Sequence, residues 1–305
     1  MAVATNLARA RNRYTAVCLL SGLDETGVHP RSVVVPELDR AIEVKIASTE
    51  DDWRQAFQLV ADSYRWRGYE RPGQHSLRFT PYHALPDTVV LVAKLGERVL
   101  ATFSLIADNH LLGLPLERLY PVEVGRLRDA GRRIVETSCL ADKGLGTREF
   151  LHVFLAMIRL GWHHALTHAA YANATNVITV NPRHRSFYTK LLGYLPLGPV
   201  RTYEQVEGHP AEAYMIDAEK MRERSPRMHA AIFGSRTAPG TLCVRRMPEE
   251  LVRRFAAHST QTDVATIDRL LERLRRGHPR RWGCPAQLDP VGMSSILTTL
   301  ALRRG

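Results

Sequence analysis

Three groups of residues in this sequence have the types and spacing for chemistry. In RRIVETSCLAD (132–142) a lone carboxylate, Glu136, interrupts a run that otherwise wants to be dry: Ile134, Val135, Cys139, Leu140 and Ala141. A buried charge without a partner is expensive, so Glu136 is either paired with an arginine for structure or kept for moving a proton. Asp142-Lys143-Gly144-Leu145-Gly146-Thr147 follows at once and puts two glycines where a strand runs into a helix. Free N–H groups and a helix dipole at such a junction bind anions, and glycine lets a ligand approach the backbone; the alternative is a plain tight turn. The third group is NPRHRSFYTKLLGY (181–194), with Asn181 and Tyr188. A tyrosine hydroxyl can act as a general acid, or the ring can simply pack.

Two further clusters carry less chemistry. His152, His163, His164 and His168 lie on or after an apolar helical stretch, and His164 with His168 has the i, i+4 spacing of a metal pair. No HExxH and no acidic residue accompany them, so they read as capping or solvated histidines and no metal is expected. The four cysteines, Cys18, Cys139, Cys243 and Cys284, have no paired spacing and read as reduced thiols of a cytoplasmic protein. Strict alternation places Ile134, Glu136, Ser138 and Leu140 on one face, which sends Cys139 to the other and leaves it no part in the chemistry.

The elements that must position these groups follow from periodicity. AIEVKIAS (41–48) alternates as a strand, and Thr49 with Asp52 forms a variant capping box for a helix carrying Trp53, Phe57, Val60 and Tyr64 at helical spacing. TVVLVAKLGERVLATFSLIAD is a hairpin turning at Gly96-Glu97. A short helix, the strand containing Glu136, an apolar helix over 147–163, a strand NVITVN (176–181), a helix RHRSFYTKLL and two closing strands complete the order β-α-β-β-(α)-β-α-β-α-β-β. The fold class is therefore α/β (α+β), a mixed central sheet flanked by helices. Residues 1–40 read as a loosely ordered arm, 41–220 as the main domain, and 221–305 as a basic helical extension.

Of the 305 residues, 45% are hydrophobic and 24% charged, an ordinary globular composition. There is no apolar run of the roughly 18 residues a membrane span needs, and the N-terminal apolar patch AVCLL is too short for a secretory signal. The formal charge of +11 is concentrated: residues 221–305 hold 16 arginines, no lysine and 7 acidic residues, an excess of nine. Arginine forks suit carboxylates and phosphates. At 100° per residue, Val264, Ile267, Leu271 and Leu274 share one helix side, and Arg269, Arg273 and Arg276 the other. The basic stripe is suited to an acidic partner. Nucleic acid is not expected, since the segment has no recognised motif and no interleaved aromatics.

The order of elements over roughly 41–217 resembles the GCN5-related N-acetyltransferase, or GNAT, arrangement. In that family the loop matching 141–146 holds the pyrophosphate of coenzyme A within an Arg/Gln-x-x-Gly-x-Gly/Ala pattern. Gly144 and Gly146 fit, but Ala141 stands at the Arg/Gln position, which argues against a plain acetyl-CoA enzyme. Three stretches resemble more narrowly the long-chain N-acyl amino acid synthases, relatives of the acyl-homoserine-lactone synthases: FQLVADSYRWRGYE with RFTPYHALPD, LGLPLERLYPVEVGRLRDAGRRIVETSCLAD, and PRHRSFYTKLLGYLPLGPVRTYEQVEGHPAEAY. Lactone synthases carry Glu-x-Ser-Arg on the central strand; here Glu136-Thr137-Ser138-Cys139 lacks the arginine, which weakens a lactone product. The resemblance implies transfer of a long fatty acyl group from an acyl carrier protein phosphopantetheine, or from acyl-CoA, to the amine of an amino acid, with no tightly bound cofactor. It makes Glu136 the base and Tyr188 the acid. Leu140, Ala141, Gly144, Gly146 and Asn181 become the donor's cradle, and Arg269, Arg273 and Arg276 a docking stripe for the acidic carrier. The alternatives are an acetyl-CoA-dependent N-acetyltransferase and a non-catalytic module that binds nucleic acid or carrier protein.

Overall fold

The computed structural model describes residues 32–277, apart from 36, 37, 39, 72, 74, 75, 169–173, 235, 236 and 238. Cys18, Cys284 and the arginines beyond 277 thus lie outside the described residues. Eight strands form one sheet in the order β1-β2-β3-β4-β5-β6-β8-β7. They are β1 (Ser32–Val34), β2 (Ile42–Ile46), β3 (Val89–Leu95), β4 (Arg98–Ala107), β5 (Ile134–Asp142), β6 (Thr175–Val180), β7 (Leu195–Tyr203) and β8 (His209–Ile216). The helices are α1 (Glu50–Trp66), α2 (Pro121–Asp129), α3 (Thr147–Thr167), α4 (Ala218–Arg224), α5 (Pro226–Phe233), α6 (Glu249–Ala257) and α7 (Val264–Gly277). All neighbouring strands are antiparallel except β5 and β6, which are joined through α3 and run parallel.

Local signals account for most of this. Thr49 caps α1, its side chain accepting from the Asp52 N–H while Asp52 accepts from the Thr49 N–H. Asp52 is fully buried and meets Lys45 and Lys94 at 2.8 and 2.9 Å, so the N-terminus of α1 is tied to two strands by a satisfied charge group. The hairpin β3–β4 turns at Gly96, whose φ of 56° lies in the region that favours glycine. β1 lies within the stretch read as an arm; three residues pairing along β2 at the sheet edge are too few for a periodic signal.

The sheet separates two apolar layers. On one side α3 covers Val44, Leu91, Phe103, Leu105 and Val135 with Phe154, Met157 and Leu160. On the other, α1 packs Trp53, Phe57 and Val60 against Val90 and Val92, and Leu251, Phe255, Ile267 and Leu271 of α6 and α7 join the same cluster. Val264, Ile267, Leu271 and Leu274 thus face inward, while Arg269, Arg273 and Arg276 are exposed. Ile134, Leu114, Leu116 and Tyr120 form a third cluster, which Leu270 of α7 joins. The segment expected as a helix over 183–192 instead opens with a tight turn (Pro182–His184) and closes with a π-helical turn (Phe187–Leu191). Such turns recur at functional sites.

Candidate active site

β5 and β6 pair at only three positions, Ile134↔Thr175, Val135↔Asn176 and Glu136↔Val177. Beyond Glu136 they diverge, and a cavity of about 520 Å³ opens between them. Thr137, Ser138, Leu140 and Asp142 line one bank, and Ile178, Thr179, Val180 and Asn181 the other. Because the opening lies in the plane of the sheet, the cavity reaches both faces. On the α3 side it is walled by Phe103, Leu105, Phe150, Phe154, Ile158 and Gly161. On the α1 side Tyr64, Arg78, Tyr82, Arg118 and Tyr203 line it, along with Gln261 from the α6–α7 connection.

Glu136 stands at the last paired rung, 2% exposed. Among the described residues its hydrogen-bond partner is the Leu116 N–H, at 2.8 Å, and no arginine pairs with it. Burial pushes its carboxyl up to about 8, against the opposing pull of that N–H. The purely structural Arg–Glu pair considered for this position is therefore not what the chain builds. Leu116 belongs to the turn Pro115–Arg118, so the stretch LGLPLER exists in this geometry to hand one backbone donor to one carboxylate.

The alternation expected along β5 breaks three residues later. Cys139 has φ of 58°, rare for a residue with a Cβ, and the register against β4 slips between Thr102↔Ala141 and Ser104↔Ser138. This is a β-bulge, a device that re-aims side chains beside functional sites. Leu140 consequently packs with the α3 layer, whereas Glu136 and Ile134 face the opposite side, and Cys139 packs on the α1 side rather than away from Glu136. Burial pushes the Cys139 thiol up, with the Glu136 carboxylate adding to the rise, so it is no activated nucleophile.

Tyr188 and Asn181 both line the cavity. Burial holds the Tyr188 phenol at about 12. Its ring meets Tyr194 edge-on at 5.8 Å, and Tyr194 donates to Asn176 Oδ1 at 2.6 Å. The Asn176 amide in turn donates to Thr137 Oγ1 at 2.8 Å, bridging the two strands just where their pairing ends. Asn181 accepts from the Arg183 N–H and starts the turn that leads to Tyr188. Leu140 joins Asn181 on the cavity wall, but the Ala141 side chain is buried in the α1 layer, and Gly144 and Gly146 lie exposed beyond the end of β5. The Gly146 N–H, at the start of α3, already donates to Glu149 at 3.1 Å, and Arg40 holds that carboxylate. Glu149 thus occupies an N–H expected to meet a phosphate, with its own charge offset by Arg40.

The histidines are otherwise engaged. His163 contacts Thr237 Oγ1 and the Ile232 carbonyl at 2.5 and 2.8 Å, and burial lowers His164 to about 4. Among the described residues no three His, Cys, Asp or Glu side chains gather as a metal site, and no helix is long and apolar enough to cross a membrane. Arg78, Tyr82, Arg118, Tyr203 and Gly161 were not singled out from sequence, and Tyr64 was read only as part of the apolar face of its helix. They come from separate elements with no shared spacing to announce them.

Residues 55–217, more than half of the chain, match the family model described as "N-acyl amino acid synthase FeeM". The solved structure of FeeM, an N-acyl amino acid synthase from uncultured soil microbes, superposes with a TM-score of 0.52 at 23% identity, covering 62% of this chain and 96% of that one. The lactone synthase LasI gives a TM-score of 0.44 at 15% identity over 65% of this chain and 96% of that one. The CoA-dependent lactone synthase BjaI gives 0.40 at 18% identity over 70% and 98%. None of the curated proteins searched matches significantly. With its sheet opened beside a buried carboxylate and more than half its length on the family model, the chain belongs to the FeeM family of N-acyl amino acid synthases, which are acyltransferases.

Proposed function

We propose that the protein moves a long-chain fatty acyl group from the thioester of an acyl carrier protein to the amine of an amino acid. Glu136 serves as general base and Tyr188 as general acid. The observation that carries this reading is the uncompensated carboxylate of Glu136 at the point where β5 and β6 part, with an apolar wall on one face and a polar one on the other. The acyl chain runs along α3 past Phe150, Phe154, Ile158 and Gly161, while the amino acid enters on the Tyr82 and Tyr203 side. The amine nitrogen attacks the thioester carbonyl, and its proton passes to Glu136. The carbon–sulfur bond breaks, and the departing sulfur takes a proton from Tyr188, which the proton gained by Glu136 replaces through solvent. A base near 8 is well matched to an amine at neutral pH. A phenol near 12 stays protonated across that range and always has a hydrogen to offer the sulfur.

Two features favour a carrier protein over coenzyme A as donor: Ala141 in place of Arg or Gln, and Glu149 already occupying the Gly146 N–H that a pyrophosphate would use. The purified protein is expected to acylate amino acids with a long-chain acyl carrier protein and to use acetyl-CoA poorly. N-acyl amino acids should also accumulate in lipid extracts of overexpressing cells. Preference for acetyl-CoA, with no such lipids, would show the reading to be wrong.

Two variants test its parts. Tyr188→Phe removes only the hydroxyl, and is expected to slow thioester cleavage about tenfold to a hundredfold while donor affinity is kept; an unchanged rate would leave Tyr188 as packing. For docking, Arg269, Arg273 and Arg276 form an exposed stripe of α7 that is only partly quenched, chiefly by the Glu272 partner of Arg276. Reversing all three to Glu should raise KM for the acyl carrier protein, most at low salt, with little effect on a small acyl-pantetheine. Equal loss with both donors would make the stripe a folding element.

A further inference from the structure

A free amino acid brings a carboxylate as well as an amine, and that charge needs a seat near Glu136. Four arginines line the cavity: Arg67, Arg78, Arg118 and Arg183. Arg78 is buried and committed, ion-paired with Glu70 at 3.1 Å, bonded to the Gln205 carbonyl at 3.3 Å and lying over the Tyr64 ring. Arg67 bonds Ser63 and lies near Asp142 and His184, at the end of the cleft away from Glu136. Arg183 reaches Tyr69 and His184. Arg118 has no ion pair among the described residues, and its neighbour Glu117 is held by both terminal nitrogens of Arg128, at 2.5 and 2.6 Å.

We propose that Arg118, with the Tyr82 hydroxyl beside it, receives the α-carboxylate of the acceptor amino acid, an inference that rests on the acyl-transfer reading above. Arg118 closes the same turn whose Leu116 N–H binds Glu136. At about 2 Å of rise per residue, two residues along such a turn span roughly 4 Å, and amine and carboxylate of an α-amino acid lie closer together than that. An acceptor with its nitrogen at Glu136 therefore has its carboxylate within reach of the Arg118 fork. Tyr82 lines the same cavity as Glu136 and Arg118, and its phenol feels the charge of both. A guanidinium takes a carboxylate through two parallel hydrogen bonds, so this seat separates amino acids from simple amines. Its mouth position also leaves Arg118 hydrated when empty, so no buried charge has to be maintained in the resting enzyme.

The test compares the proteinogenic amino acid that the full-length enzyme uses best with the α-amide of that amino acid, both with one long-chain donor. The wild type should favour the acid. In Arg118→Gln the acid-over-amide preference should collapse about tenfold to a hundredfold through KM, with kcat little changed, and Arg118→Lys should restore part of it. Equal losses for acid and amide, or no loss, would overturn the assignment, as would a wild type that takes both alike. A wild type that acylates no amino acid overturns the acyl-transfer reading itself.

Discussion

Glu136→Gln should lower turnover by about 10² to 10⁴ while the protein remains folded and at least as stable as the wild type. The substitution keeps the shape and can still accept the Leu116 N–H, but it cannot take a proton. The pH behaviour follows from the carboxyl being raised to about 8 by burial. In the wild type the active, ionised form grows as pH climbs, so the rate should rise through about pH 8 and then level off. Stability moves the other way. From the ordinary carboxyl value of about 4.3 up to about 8, the folded protein holds a proton that the unfolded chain has released, so the wild type loses stability across this window by an amount of order a few kcal/mol. Glutamine has no such proton, and the variant's advantage in Tm should widen from pH 5 to pH 8. Near-normal turnover, or a variant that unfolds more readily at pH 8, would remove Glu136 from the base role.

Gly161→Leu should cut turnover of a sixteen-carbon donor about a hundredfold and spare a four-carbon one. Gly161 lies buried inside α3, where glycine costs about 1 kcal/mol relative to alanine, so its use there calls for a spatial reason. A Cβ at this position would meet Leu105 at 3.3 Å and Phe103 at 3.7 Å, and the residue lines the cavity. From Phe150 to Ala165 the helix runs about 22 Å beside this space, long enough for an extended fatty chain. A leucine displaces about four methylenes, each worth about 0.8 kcal/mol when buried, which gives the hundredfold. Leucine improves helix propensity but must push Leu105 aside, so Tm is measured alongside turnover to separate a blocked chain from a loosened core. The check is a chain-length profile from four to eighteen carbons. An unshifted profile in a folded variant would mean the chain lies elsewhere.

Local rules made much of the fold legible. The Thr49–Asp52 capping box, the Gly96 turn and the inward face of α7 depend on residues within a few positions of one another, and each forms as its spacing indicates. The odd placement of Glu136 was equally plain, because a carboxylate among apolar neighbours shows in one dimension. The bulge was not: one left-handed residue at Cys139 resets the alternation and exchanges the faces of Leu140 and Cys139, and nothing in TSCLAD marks it as glycine would. Nor could Arg118, Tyr82, Tyr203 and Gln261 be grouped from spacing, since tertiary packing alone brings their elements to one cavity. The bond from the Gly146 N–H to Glu149 likewise depends on the rotamer of a residue three positions into α3.

The packing of α6 and α7 has a consequence for how the molecule comes apart. Phe255, Ile267 and Leu271 lie in one cluster with Trp53, Phe57 and Val92, and Ser259 donates to the Phe79 carbonyl. Burying a large apolar side chain contributes roughly 1.5 to 3 kcal/mol, and a whole domain is stable by only about 5 to 15. Stripping these helices from the sheet therefore removes a share comparable with everything that keeps the chain folded. Heated, residues 42–277 should melt in a single cooperative transition, and a chain cut at 220 should not survive as an independent enzyme.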